Sequence, residues 1–494
     1  MRKLVLLLSM VLLLLVAFPA LGLAQVPTPV ADQVTQGADP AEDPGLATAL
    51  ALDTVFVFVA AVLVIFMQAG FAMLEVGFSR MKNVGSVVAK ILANMGIGVL
   101  AFWALGFAFA FSDGGPINTL IGTQGFFLTG EADTTAAGLS WTAVPLSTKF
   151  IFEVAFALVS LAIVWGTMLE RTKFAVYLIF ALVFAGLIYP IVGHWIWGGG
   201  WLSALGMQDF AGSTVVHLSG AMAALAGTML LGPRIGKYDD AGNPQPIYGH
   251  NMPLAVLGVL ILWVGWYGFN PGSALGAVGL GEGITDVALT TTLSAGAGVL
   301  GASVASYLYR RNLDVGMMGN GAIAALVAIT AACAFVAPWA AVIIGFIAGV
   351  IMYMTLVFVD KIGIDDPLGA IAAHGMGGIW GTLSCGLFAA PALVEAAGIG
   401  QPGLFYGGGL GQLGVQALGI LCAGGFVFIT SFVVFAILKA TIGLRVKPEE
   451  ELNGLDIAEH GVYGYGEQLI ATDPGGNGNG MVGSADRGAR ETTS

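Results

Sequence analysis

Five histidines occur in the chain, and two of them stand in the same pattern. Asp209 is followed by Gly212, His217 and Gly220, and Asp366 by Gly369, His374 and Gly377. Both stretches read D-x2-G-x4-H-x2-G. No lysine, arginine or acid lies beside either histidine, and both sit in apolar runs rich in glycine and alanine. An ionisable side chain inside such a run is costly and usually functional. An imidazole pair kept from water without a counter-charge is expected to be neutral. It can share one hydrogen bond and still offer a donor or an acceptor to a small polar solute. The alternative is two satisfied core histidines. Asp209 and Asp366 are placed to begin helices, where a carboxylate caps free N–H groups, and a supporting role is expected of them.

A second group of residues has aromatic faces. Phe152 and Phe156 lie one turn apart, Trp197 stands in Trp197-Gly198-Gly199-Gly200, and Trp266, Phe269 and Ser273 close a further run. Each alone is ordinary packing or an interfacial ring. Together they would put ring faces and a hydroxyl above the histidines. Ring faces attract small cations by about 0.5–2 kcal/mol each, and a hydroxyl accepts a hydrogen bond. That suits a polyatomic cation such as ammonium, whereas a bare alkali ion would want a ring of oxygens.

The composition says what must hold these groups. Of 494 residues, 57% are apolar and 10% are charged, against roughly 25% charged in a soluble domain. A soluble globule and a disordered chain are both excluded. The cysteines Cys333, Cys385 and Cys422 lie in apolar runs, which excludes a disulfide scaffold. The net charge of −12 is no nucleic-acid signal. A polytopic all-α membrane protein remains.

Eleven windows are long and apolar enough to span a bilayer. They are 52–79, 85–112, 146–170, 173–197, 211–233, 250–270, 286–310, 316–335, 338–360, 368–390 and 411–439. Alternate connections carry Arg80 and Lys82, Arg171 and Lys173, Arg234 and Lys237, Arg310 and Arg311, and Lys361. The intervening loops carry acids instead, apart from Lys149 at the start of the third window. Positive charge marks the cytoplasmic side, so the N-terminus is expected outside and the C-terminus in the cytoplasm. Met1-Arg2-Lys3 and the apolar stretch to Leu23 read as a secretory signal over 1–24, with an uncleaved helix as the alternative. Residues 25–50 read as an external linker, 51–440 as the membrane domain, and 441–494 as a cytoplasmic tail, disordered beyond about 473.

The histidine motifs open the fifth and tenth windows. Each repeat then holds five spans, an odd number, so the second copy is inverted. Inverted repeats with a site at their interface are a recurrent transporter plan. Eight helical residues rise about 12 Å. Measured from opposite faces of a core about 30 Å thick, both histidines fall near mid-membrane. If the repeats pack face to face, the two meet. The glycine and alanine around them favour close helix packing, a narrow pore and a small solute.

The chain resembles the ammonium transporters of the Amt/Mep/Rh family, of bacterial and archaeal type. The resemblance rests on D-F-A-G-S-T-V-V-H-L-S-G (209–220), G-F-A-M-L-E-V-G-F-S-R-M-K-N (70–83), W-G-G-G (197–200), G-W-Y-G-F-N-P-G-S (265–273), D-D-P-L-G-A-I-A-A-H-G (365–375) and G-L-D-I-A-E-H-G (454–461). It implies a homotrimer in the cytoplasmic (inner) membrane, with a pore in each subunit. Trp197, Phe152 and Ser273 would recruit ammonium, and Phe156 and Phe269 would form a stacked gate. His217 and His374 would line the pore, with Asp209, Asp366 and Trp266 in support. Ammonia would pass with or without its proton, and methylammonium is a related solute. No enzymatic activity, metal or cofactor is implied, and a PII-type regulatory protein is a family partner at the tail. Glu153 stands where many relatives carry glutamine, and it would either add cation affinity or face a neighbouring subunit. Gly369 stands where some relatives have an acid, and Glu75 reads as a buried, partnered acid. Three other readings stay open. One is a sensor on the same fold, one a membrane redox protein with haem between the histidines, and one a pore for another small solute.

Overall fold

The computed structural model describes residues 39–278 and 281–465. The proposed signal 1–24, most of the linker and the end beyond 465 lie outside them. Among the described residues the regular secondary structure is helical throughout, and the only β pairing is two isolated bridges, Thr172 with Arg445 and Tyr238 with Pro244. Ten helices among the described residues are long and apolar enough to cross a membrane. They are α1 (Pro44–Phe78), α2 (Met81–Phe111), α3 (Leu146–Gly166), α4 (Phe174–Ala204), α5 (Ser213–Leu231), α6 (Met252–Ala274), α7 (Gly283–Arg310), α8 (Val315–Ala332), α9 (Pro338–Lys361) and, after one more, α11 (Gly411–Thr441). The remaining one, α10, is Ile371–Phe388, which qualifies together with the short helix Pro391–Ala397 across a 108° bend. Each of the eleven expected windows coincides with one of these.

One boundary differs from expectation. The last residues of the expected linker are already helix, because Asp43 caps the amides of Gly45 and Leu46 and Pro44 takes the first position. The polar cap starts α1 before its apolar run begins.

The inverted repeat is visible in the packing. α1 packs most extensively on α6, the first helix of the second repeat, and the opening turns of α5 and α10 touch. Glycines seven apart on α1 (Gly70, Gly77) and on α6 (Gly258, Gly265) face this seam. A Cβ on Gly77 would lie 2.3 Å from the Ala255 nitrogen, and one on Gly258 would lie 2.3 Å from the Leu74 nitrogen. With no hydrophobic drive between helices in lipid, such backbone approach does the holding.

At the end carrying the basic loops, charged side chains tie the repeats together. Arg234 meets Asp365 at 2.9 Å and Glu170 at 3.3 Å, and Arg80 meets Glu170 at 2.6 Å. The tail docks on the same side. Asp456 accepts from the Ser86 amide (2.9 Å), and Glu451 accepts from the Ile235 amide (2.7 Å) and pairs with Arg445 (2.8 Å). Burial works against the Asp365 carboxylate, but hydrogen bonds from Arg234 and the charges of Arg171 and Arg234 outweigh it and hold its pKa at about 2. A carboxyl depressed on folding stabilises the fold above its ordinary pKa, and the contribution is lost as pH falls from about 4 to about 2. Thermal melts of the detergent-solubilised protein are expected to lose stability across that window. Asp365→Asn should start lower at neutral pH and fall less steeply.

Candidate functional site

α5 and α10 open alike, and the motif explains how. Asp209 accepts from the amides of Gly212 (3.1 Å), Thr214 (3.0 Å) and Val215 (3.0 Å). Asp366 accepts from the amides of Ala370 (2.9 Å) and Ile371 (2.8 Å). Between cap and helix stands a glycine in the left-handed region, Gly212 at φ 107° and Gly369 at φ 74°. Residues with a Cβ adopt that region only with strain. This is why the repeat preserves a glycine three positions after each aspartate, and why an acid at 369 would not suit this backbone. The chain then enters a π-helical turn, Ser213–Leu218 in α5 and Ile371–Met376 in α10. Such turns are rare and frequent at functional sites. Each holds one histidine. The stretch of chain before α5 is pinned to the end of α8, with Phe210 and Ala211 donating to the carbonyls of Ala331 and Thr330 (3.1 Å each).

The two turns bring His217 and His374 together. Their Nδ1 atoms are 3.2 Å apart, and the rings lie 5.2 Å apart between centroids at 25°. His217 is 0% and His374 4% exposed, so water does not reach the shared bond freely. One Nδ1 must donate and the other accept. His217 Nε2 is buried with no partner. In the neutral pair the ring whose Nδ1 donates presents a bare Nε2 and the other ring an Nε2–H, and the two exchange roles only when the shared proton and an Nε2 proton both move. The arrangement therefore offers a polar edge to a small solute and a route for one proton.

The aromatic residues form a column ending on this pair. Trp266 and Phe269 stack on His217 at 5.4 Å each, tilted by 19° and 23°. Phe156 lies 4.2 Å from Phe269, Phe152 lies 4.7 Å from Phe156, and Trp197 meets Phe156 edge-on at 6.0 Å. Phe152, Phe156, Trp266 and Phe269 are buried, whereas Trp197 and Ser273 are half-buried and mark the open end. The Ser273 turn packs on the Phe152 ring, since a Cβ on Gly272 would lie 2.8 Å from it. Ser273 Oγ donates to the Phe269 carbonyl (2.8 Å), which leaves its lone pairs free to accept from a cation. Trp197 Nε1 donates to the Asp209 carbonyl (2.7 Å), which links the open end to the α5 cap.

Direct ring contact between the histidines leaves no room for a macrocycle, so the haem reading is withdrawn. Glu153 is buried within the single chain beside Phe152.

Some residues of the site escaped the sequence. Trp266 Nε1 donates to Thr330 Oγ1 (2.9 Å), and the hydroxyls of Thr214 and Thr382 lie 2.6 Å apart. Nothing in the chain singles out one threonine among many. Lys90 had a signal, a lysine inside an apolar window, and it is the partner of Glu75. On the far side of the pair from the aromatics, a cavity of about 20 Å³ is lined by His374, Glu75, Phe71, Leu74 and Asn320, among others.

Comparison with known proteins gives consistent matches. Residues 55–465 match the model of the Ammonium Transporter Family. The ammonium transporter Amt2 of Archaeoglobus fulgidus is 46% identical over 445 residues, covering 87% of this chain and 92% of that protein. Ammonium transporter 1 member 3 of Solanum lycopersicum is 37% identical over 445 residues, covering 84% and 93%. A solved structure named "Sensor Amt Protein" superposes with a TM-score of 0.76 at 37% identity, covering 84% of this chain and 99% of that one. Candida albicans Mep2 gives a TM-score of 0.73 at 28% identity, covering 84% and 90%.

Proposed function

The chain belongs to the ammonium transporter family, a family of transporters rather than enzymes, and from that premise we propose that it takes up ammonium through a pore in each subunit of a homotrimer in the cytoplasmic membrane. The loop charges orient it, with Arg80, Arg171 and Arg234 inside and the Trp197 end outside. Trp197, Phe152 and Ser273 recruit the cation, the rings by their faces and the serine by its oxygen. Phe156 and Phe269 close the way below, so the ion surrenders its proton and water there. Ammonia passes along His217 and His374, and the proton crosses separately along the pair. The observation that carries this reading is the contact of the two Nδ1 atoms at 3.2 Å beneath the ring column. A PII-type protein would meet the tail and basic loops on the cytoplasmic face.

A second reading is an ammonium sensor with little flux, favoured by the likeness to a solved structure whose name calls it a sensor. Purified protein in vesicles on a solid support separates the two. An ammonium-evoked current, absent with sodium, is the expected result. Interior alkalinisation without current would mean that ammonia crosses alone. Ammonium binding with neither signal would favour the sensor.

A further inference from the structure

The polar seam between α1 and α2 goes beyond what packing needs. Gln68 and Glu75 lie seven apart on α1, and Lys90 and Asn94 four apart on α2, so each pair shares a helix face. Asn94 bonds Gln68 (3.2 Å), and Lys90 pairs with Glu75. Glu75 is 0% exposed and Lys90 1%. A buried ion pair is a costly way to join two helices. A purely structural clamp would use both carboxylate oxygens. Here Lys90 takes Oε2, while Oε1 is buried with no partner.

Glu75 also lines the cavity that His374 lines. The cavity volume, about 20 Å³, is enough for about one water or an ammonia. It lies at the end of α1 that leads into Arg80 and Lys82, one turn above the helix terminus. Lys90 and Tyr177 are the other titratable groups beside Glu75, with the Lys90 ammonium 6.0 Å from the Tyr177 ring.

We infer that Glu75 is the proton-accepting residue at the inner end of the pore, with Lys90 as its positioning partner. This rests on the proposed passage of ammonia and proton along the histidine pair. The protonated pair gives one proton, directly or through a water in the cavity, to the Glu75 carboxylate. The pair becomes neutral and Glu75 becomes a carboxylic acid. Ammonia arriving past His374 then takes that proton and leaves as ammonium. The carboxylate is restored and pairs again with Lys90, whose charge keeps the proton from being trapped. No proton is gained or lost over the cycle.

Wild type, Glu75→Gln and the doubly neutral Glu75→Gln/Lys90→Gln are reconstituted in vesicles. Ammonium-evoked current and interior alkalinisation by ammonia are recorded on each. Both variants are expected to lose current by about a hundredfold, and, because ammonia then enters without its proton, to alkalinise the interior where wild type does not. The double variant decides where the single one, with Lys90 unpaired, does not fold. A double variant with wild-type current overturns the assignment. So does a folded double variant that shows neither current nor alkalinisation, since the pair is then structural. Wild type that alkalinises without current sinks the underlying charge-moving reading, and the assignment with it.

Discussion

Replacing His217 by alanine is expected to reduce the ammonium-evoked current by about 10²–10⁴-fold, the usual worth of a positioned proton-transfer group. The loss has two parts. The shared Nδ1 bond disappears, so a proton has no partner to hop to. The ring that Trp266 and Phe269 stack against also disappears, so the column above loses its floor. His374→Ala should cost about as much, because the route needs both rings. The double variant should be hardly worse than either single one, since residues that act as a unit are not additive. Currents from the four proteins at equal protein load test this. Additive losses would mean that each histidine works alone.

Asp209→Ala is expected to cost both folded protein and transport. The Asp209 carboxylate is the acceptor for three buried amides, those of Gly212, Thr214 and Val215. A buried donor left unpaired costs about 1–3 kcal/mol, so three of them rival the whole stability of an ordinary domain, about 5–15 kcal/mol. The same loop carries the carbonyl that Trp197 donates to, so the open end of the column would shift as well. Asp209→Asn should cost less, because its Oδ1 can turn to serve Thr214 and Val215, leaving only the Gly212 amide facing its NH2. Asp366 serves two helix-start amides in the same way, so Asp366→Ala should lower the thermal midpoint less than Asp209→Ala. Melts of the detergent-solubilised proteins would show the order, and an equal or reversed order would discredit the capping account.

The membrane plan was legible because it rests on local chemistry. Apolar length marks the helices, and the basic loops mark one end of the bundle. The repeated D-x2-G-x4-H-x2-G encodes one piece of backbone twice: a cap, a left-handed glycine and a π-helical turn with a histidine in it. Inversion then places both histidines at similar depth without knowledge of any contact. The aromatic residues were legible as types in the right half of each helix.

What the chain alone leaves open are distances between elements remote in sequence. The 3.2 Å between His217 and His374, 157 residues apart, depends on how closely α10 lies on α5. A Cβ on Gly378 would stand 2.6 Å from the Ser213 carbonyl, so that spacing is set by backbone contact. The pairing of Trp266 with Thr330, and of Glu75 with Lys90, has the same origin. Periodicity says which face of a helix is polar, but the partner opposite it is chosen by packing. The docking of the tail on the start of α2 and on the loop after α5 depends on Asp456 and Glu451 finding free backbone amides there. No residue type announces such an amide. It becomes an acceptor's target only when the folded chain leaves it without another bond.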